Sequence, residues 1–156
     1  MGLFRKKEVK IECPTNGNIV FLKDIPDDAI SKEMLGTGVG IESIDGEICS
    51  PVDGEVSFVF PTKHAVGLKT KEGLEVLIHL GIDTVELEGK GFDIKCKKDQ
   101  HVHSGELLAE MDLDFIRKTH NPICILLFPQ KQLLTLNIDE SQKECHVHEV
   151  LGNVKL

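Results

Sequence analysis

The 156-residue sequence predicts an all-β fold: an antiparallel β-sandwich or barrel-like domain with a duplicated β motif and one or two very short helices. Three observations carry this. Short β-rich runs are separated by turn signals at Asn16-Gly17, Asp45-Gly46, Asp53-Gly54, Glu72-Gly73 and Ser104-Gly105. Fourteen glycines supply tight turns throughout the chain. A motif recurs: Pro14-Thr15-Asn16-Gly17-Asn18-Ile19 and Pro51-Val52-Asp53-Gly54-Glu55-Val56 share P-x-[ND]-G-x-[IV], and Val102-His103-Ser104-Gly105-Glu106-Leu107 repeats its turn-then-apolar part. Each copy reads as a turn entering a strand. Three copies at unequal spacing do not make a solenoid.

Residues 1–10 read as a flexible N-terminal tail and residues 11–156 as one domain, since a 40% hydrophobic chain of this length suits a single core. In the tail, Leu3 and Phe4 stand beside Arg5, Lys6 and Lys7, a pairing too weak for stable membrane insertion. No stretch approaches the length of a transmembrane helix. A short helix is expected from Asp27 to Met34. Gly36-Thr37-Gly38-Val39-Gly40 matches neither the dinucleotide fingerprint nor the P-loop and reads as a flexible or closely packed β connection. Val56, Phe58 and Phe60 alternate as one strand face. Val76, Ile78 and Leu80 form a core stripe, which puts Glu75, Leu77 and His79 on the outer face. The clearest helix runs from Asp112, as N-cap, to His120, with Pro122 as its stop.

Composition narrows the function. Net charge is -8 and the chain has no Tyr or Trp, so the basic, aromatic-laced surface of a nucleic-acid binder is missing. An acidic surface suits partners with a basic contact face. Five cysteines, an odd number without CxxC spacing, indicate no disulfide framework and favour a reducing, cytoplasmic setting.

Two histidines draw the chemistry together. Residues 64–69 and 74–80 are strand-like, with Thr70-Lys71-Glu72-Gly73 between them as a hairpin signal. A four-residue loop sets His64 opposite His79, roughly 5 Å apart at Cβ; a two-residue loop sets them diagonally, roughly 7–8 Å apart. Either register puts both on one face; an odd-length loop or a bulge would break this inference. A neutral imidazole is a competent nucleophile near pH 7 and a good leaving group. A second imidazole can stabilise phosphoryl oxygens in flight. Thr62, two residues before His64, can fix that ring's orientation and tautomer. Apolar surroundings would exclude water and slow hydrolysis.

The segments FPTKHAVGL and LIHLGIDTVELEGKGF, with CPTNGNIVFLKDIPD, MLGTGVGI, SPVDGEV and KKDQHVHSGELLAEMDLDFI, resemble the glucose-type enzyme IIA of the bacterial phosphoenolpyruvate:sugar phosphotransferase system, from about Ile11 to about Ile125. The resemblance implies a phosphotransferase component with an antiparallel β-sandwich fold. His79 would accept phosphate from the phosphocarrier HPr and pass it to the IIB domain of a sugar permease. His64 would be the supporting histidine and Thr62 its hydroxyl partner. Phe60, Leu77, Ile30 and Asp83 fall where the family docks partners. No free cofactor is implied; in regulatory complexes of the family a zinc ion can be shared by His64, His79 and a partner carboxylate. Regulatory target proteins are further implied partners of the unphosphorylated form. Leu77 and Ile30 stand where several members carry Phe, and Asp99 replaces a usual turn glycine.

Two rival readings need other residues. A zinc metallopeptidase-like hydrolase would use His79-x-x-x-Asp83 with His101-x-His103, but this spacing is too short and three converging ligands are required. Cys145-His146-Val147-His148 has no second cluster nearby and reads as a polar edge strand. A non-catalytic regulatory binding module would need no supporting hydroxyl at Thr62.

Overall fold

A computed structural model describes residues 7–156. The described residues form fourteen strands in three antiparallel sheets. The largest runs β13 (Glu144–Cys145), β2 (Gly17–Phe21), β3 (Thr37–Ser43), β11 (Asn121–Phe128), β7 (Glu75–Ile82), β6 (Ala65–Lys69), β5 (Gly54–Val59) and β9 (His101–Val102). The order is nearly palindromic. Each edge is a two-residue strand, beside which lies one copy of the repeat, and the glycines of the two full copies, Gly17 and Gly54, open β2 and β5. The third copy leads into β10 (Leu107–Met111), which lies between β4 (Glu47–Cys49) and β8 (Phe92–Ile94). The remaining sheet is β1 (Glu8–Glu12), β14 (Val150–Lys155) and β12 (Thr135–Ile138).

The core follows from alternation. Val76, Ile78 and Leu80 point into a large cluster with Ile41, Leu68, Leu108, Leu126 and Phe128. A smaller cluster covers the opposite face of the same sheet: Leu22, Ile25, Ile30, Ile82, Ile123, Ile125 and Leu127, with Leu77 packed against it. Burying such side chains is worth about 1.5–3 kcal/mol each. The segment that closes this second cluster is a 3-10 turn, Leu22–Asp24, followed by the helix α1 (Asp28–Ser31). Asp27 caps α1 by accepting from the Ile30 amide at 3.2 Å, and Asp112 caps α2 (Leu113–Arg117) by accepting from the Phe115 amide at 3.1 Å. Both helices are shorter than the stretches 27–34 and 112–120 expected for them. The close β connection at residues 36–40 is realised in β3, where a Cβ at Gly38 would collide with the Leu126 carbonyl oxygen.

Three expectations are corrected. Residues 8–10, expected within the tail, belong to β1 and pair with β14, because Val9 and Ile11 alternate into the core; the tail residues Leu3, Phe4, Arg5 and Lys6 lie outside the described residues. A bulge between Val56 and Phe58 breaks their common face, so Val56 is buried while Phe58 turns out over Gly67. The hairpin register pairs Lys69 with Glu75 and Ala65 with His79, intermediate between the two expected, because Leu74 stays in the loop. There the Thr70 hydroxyl accepts from the Leu74 amide at 3.1 Å and the Thr70 amide donates to the Leu74 carbonyl at 3.0 Å.

Candidate functional site

His79 lies in the middle of the large sheet, between Ala65 of β6 and Ile125 of β11, both fully buried. Strict alternation in the observed register would send His64 to the other face. The chain avoids this just before β6. Phe60 to Lys63 form a turn, with the Lys63 amide donating to the Phe60 carbonyl at 2.8 Å and Lys63 in the left-handed region at φ 61°. His64 thus lies outside β6, and its ring meets that of His79 edge-on, centroids 5.2 Å apart at 79°. The juxtaposition expected from the sequence is present, but a turn produces it rather than the hairpin register.

Each imidazole is held through Nδ1. His79 Nδ1 lies 2.8 Å from the Gly81 carbonyl oxygen, which can only accept, so Nδ1 carries the proton and Nε2 keeps its lone pair. His64 Nδ1 lies 2.6 Å from the Thr62 hydroxyl. When Thr62 donates, the His64 proton sits on Nε2. One ring then offers a nucleophilic nitrogen and the other an N–H donor, which is the division of labour that phosphoryl transfer uses.

Burial disfavours the charged form of both rings. Burial, and then repulsion from His79, push the His64 pKa below its ordinary value. Burial lowers that of His79 too, opposed by the Gly81 hydrogen bond and by the carboxylates of Asp27 and Asp83. Asp83 sits in the left-handed region at φ 57°, at the start of a 3-10 turn, Thr84–Leu87. Asp27, read from the sequence only as a helix start, is an unforeseen neighbour of His79; α1 brings it there.

The apolar rim is partly as expected. Phe60 is 38% exposed and its ring lies 5.1 Å from His64. Phe58 stacks against it with centroids 5.2 Å apart and extends the exposed surface; Gly67, the glycine on which Phe58 rests, was the signal in the sequence for it. Leu77 is half-buried. Ile30 is 2% exposed and supports the site from within the second cluster instead of forming its rim. Gly81 was also missed: at φ 88° it turns its carbonyl back toward His79.

The residues of the rival metal reading are spread out. His101 pairs with Glu55 at the start of β5, whereas Ala65, the neighbour of His79, lies beyond Val66, which pairs with Val59 at the other end. Among the described residues no three His, Cys, Asp or Glu side chains converge as a metal site. A cleft of about 770 Å³ at the His101 end, lined by Asp53, Lys69, Thr70 and His103, contains neither His64 nor His79. All five cysteines are free thiols, and Cys145 pairs with Gly17 in edge strand β13. Asp99 holds φ 72°, in the left-handed region. No described helix is long and apolar enough to cross a membrane.

Residues 9–133 match the family model for the phosphoenolpyruvate-dependent sugar phosphotransferase system, EIIA 1. The chain is 39% identical over 149 residues to the PTS system glucose-specific EIIA component of Staphylococcus epidermidis, covering 96% of this chain and 86% of that protein. It is 40% identical over 153 residues to the PTS system glucose-specific EIICBA component of Staphylococcus saprophyticus, of whose length it spans 23%. The solved structure of glucose permease IIA from Mycoplasma capricolum superposes with a TM-score of 0.87 at 33% identity, over 94% of this chain and 96% of that one. The chain belongs to the EIIA 1 family of the phosphoenolpyruvate-dependent sugar phosphotransferase system and is a phosphotransferase component with that family's β-sandwich fold.

Proposed function

We propose that His79 Nε2 is the phosphoryl-carrying atom, that phospho-HPr is the donor and that the IIB domain of a glucose-type sugar permease is the acceptor. The lone pair of Nε2 attacks the donor phosphorus in line. The donor P–N bond breaks and its electron pair returns to the donor nitrogen. With the donor ring protonated on its other nitrogen, no net proton moves, and His79 keeps its Nδ1 proton on the Gly81 carbonyl. His64 donates from Nε2 to a phosphoryl oxygen, with Thr62 holding its tautomer. Handing on to IIB is the same step in reverse, toward another nucleophile.

The observation that carries this reading is the pairing of two fixed Nδ1 atoms, at 2.8 Å from Gly81 and 2.6 Å from Thr62, on rings 5.2 Å apart. Phe60, Phe58 and Leu77 would dock partners and exclude water around the phosphate, with the cluster of Ile30 supporting Leu77. Asp27 and Asp83 would repel the arriving charge of about -1.5 to -2, which keeps the phosphohistidine ready to transfer. The name of the EIICBA relative joins A to B and C in one protein, which supports a IIB partner. Residues 8–156 act as one domain, working in the cytoplasm with no free cofactor, and the unphosphorylated form presents the same face to regulatory targets.

The test is transfer to an isolated IIB domain. Phosphorylated protein mixed with a glucose-type IIB should lose its phosphate as IIB gains it. Retention of the phosphate, with IIB accepting normally from a known IIA, would remove the acceptor assignment.

A further inference from the structure

We infer that Thr84 is a positioning residue for both histidines, acting through the backbone of Leu80; this rests on the phosphoryl-transfer reading of His64 and His79. Leu80 lies next to His79 in β7. Its amide donates to the His64 carbonyl at 2.7 Å, and its carbonyl accepts from the Thr84 hydroxyl at 2.5 Å. One residue's backbone therefore ties His64, just before β6, to the turn that follows His79. Thr84 is fully buried, as is Leu80, so water cannot replace that hydroxyl.

The same side chain shapes Gly81. A Cβ built on Gly81 would come within 2.5 Å of the Thr84 γ-methyl and 3.0 Å of the Asn121 carbonyl oxygen. The methyl group thus packs beside Gly81, whose carbonyl oxygen accepts from His79 Nδ1. Further out, the turn is held by Glu86, whose carboxylate meets His120 Nε2 at 2.9 Å. The Thr84 hydroxyl bonds neither ring; it holds the Leu80–Gly81 peptide, one residue before the Gly81 carbonyl that sets the His79 tautomer.

The experiment is ¹⁵N NMR of the imidazoles in the full chain, unphosphorylated, across pH, for wild type, Thr84→Val and Thr84→Ser. It is paired with steady-state transfer from phospho-HPr. Thr84→Val keeps the methyl and loses the hydroxyl. The expected result is a mixed His79 tautomer, a displaced His79 titration, and a kcat about tenfold lower with KM for phospho-HPr unchanged. Thr84→Ser should restore the Nδ1–H tautomer and most of kcat. A folded Thr84→Val with wild-type tautomer and titration would overturn the inference. If Thr84→Val does not fold, Thr84→Ser decides alone: a mixed tautomer there overturns it, and a wild-type tautomer supports the hydroxyl as the positioning group. Should wild type take no phosphate on His79, the transfer reading fails, while the tautomer measurement still reports on Thr84.

Discussion

Replacing Thr62 by valine removes one hydroxyl and leaves the shape of the side chain nearly unchanged. That hydroxyl meets His64 Nδ1 at 2.6 Å, and His64 is only 6% exposed, so water has little access to take its place. A hydrogen bond of this kind contributes about 0.5–1.5 kcal/mol net. Directed wholly at selecting the Nε2–H tautomer, it changes that tautomer's population by about 2- to 13-fold. The transfer from phosphorylated Thr62→Val to IIB should slow by that factor, against about 10²–10³ for His64→Gln, which removes the imidazole and its fixed N–H. Thr62→Ser should recover most of the loss. Rapid-quench measurement of phosphate leaving each pre-loaded variant separates the three. Wild-type transfer by Thr62→Val, or by His64→Gln, would refute the reasoning, because a supporting ring whose tautomer is irrelevant is not a donor to the phosphoryl group.

Two further outcomes follow from the geometry. Gly81→Ala places a β-carbon at φ 88° against Thr84 and the Asn121 carbonyl, so it should destabilise the fold by about 1–2 kcal/mol or more and depress phosphate uptake; urea denaturation and phosphorylation assays read both. The folded pKa values of His64 and His79 lie below the ordinary value of about 6.5, so the unfolded chain binds more protons between the two. Their contribution to stability is complete above pH 6.5 and is lost as pH falls from there through the lower folded values. A urea midpoint falling over that window, and falling less in His64→Gln, is expected.

The sandwich was legible because its signals are local. Turn dipeptides, the alternation at Val76, Ile78 and Leu80, and the repeat at Pro14 and Pro51 each report on a few neighbouring residues, and the near-palindromic sheet realises them. The meeting of the two histidines was legible, but not the way the chain brings it about. His64 and His79 do meet, yet the register differs by one residue because Leu74 is held in its loop by Thr70, and the left-handed Lys63 restores the contact. Loop length and a positive φ at lysine leave little trace in residue type. Ile30 was expected at the rim for a related reason. Whether a short helix covers a sheet face or borders it depends on tertiary packing, and Ile30 turned out to be buried in the second cluster. Asp27 was hidden in the same way, since its proximity to His79 exists only once α1 has folded over β7 and β11.

The central claim is that His79 carries the phosphate. Incubation with phosphoenolpyruvate, enzyme I and HPr, followed by intact-mass analysis of wild type and His79→Gln, addresses it most directly. A gain of one phosphate on wild type, acid-labile and missing from His79→Gln, is the expected result. No gain on wild type beside a competent HPr control, or an undiminished gain on His79→Gln, would contradict it.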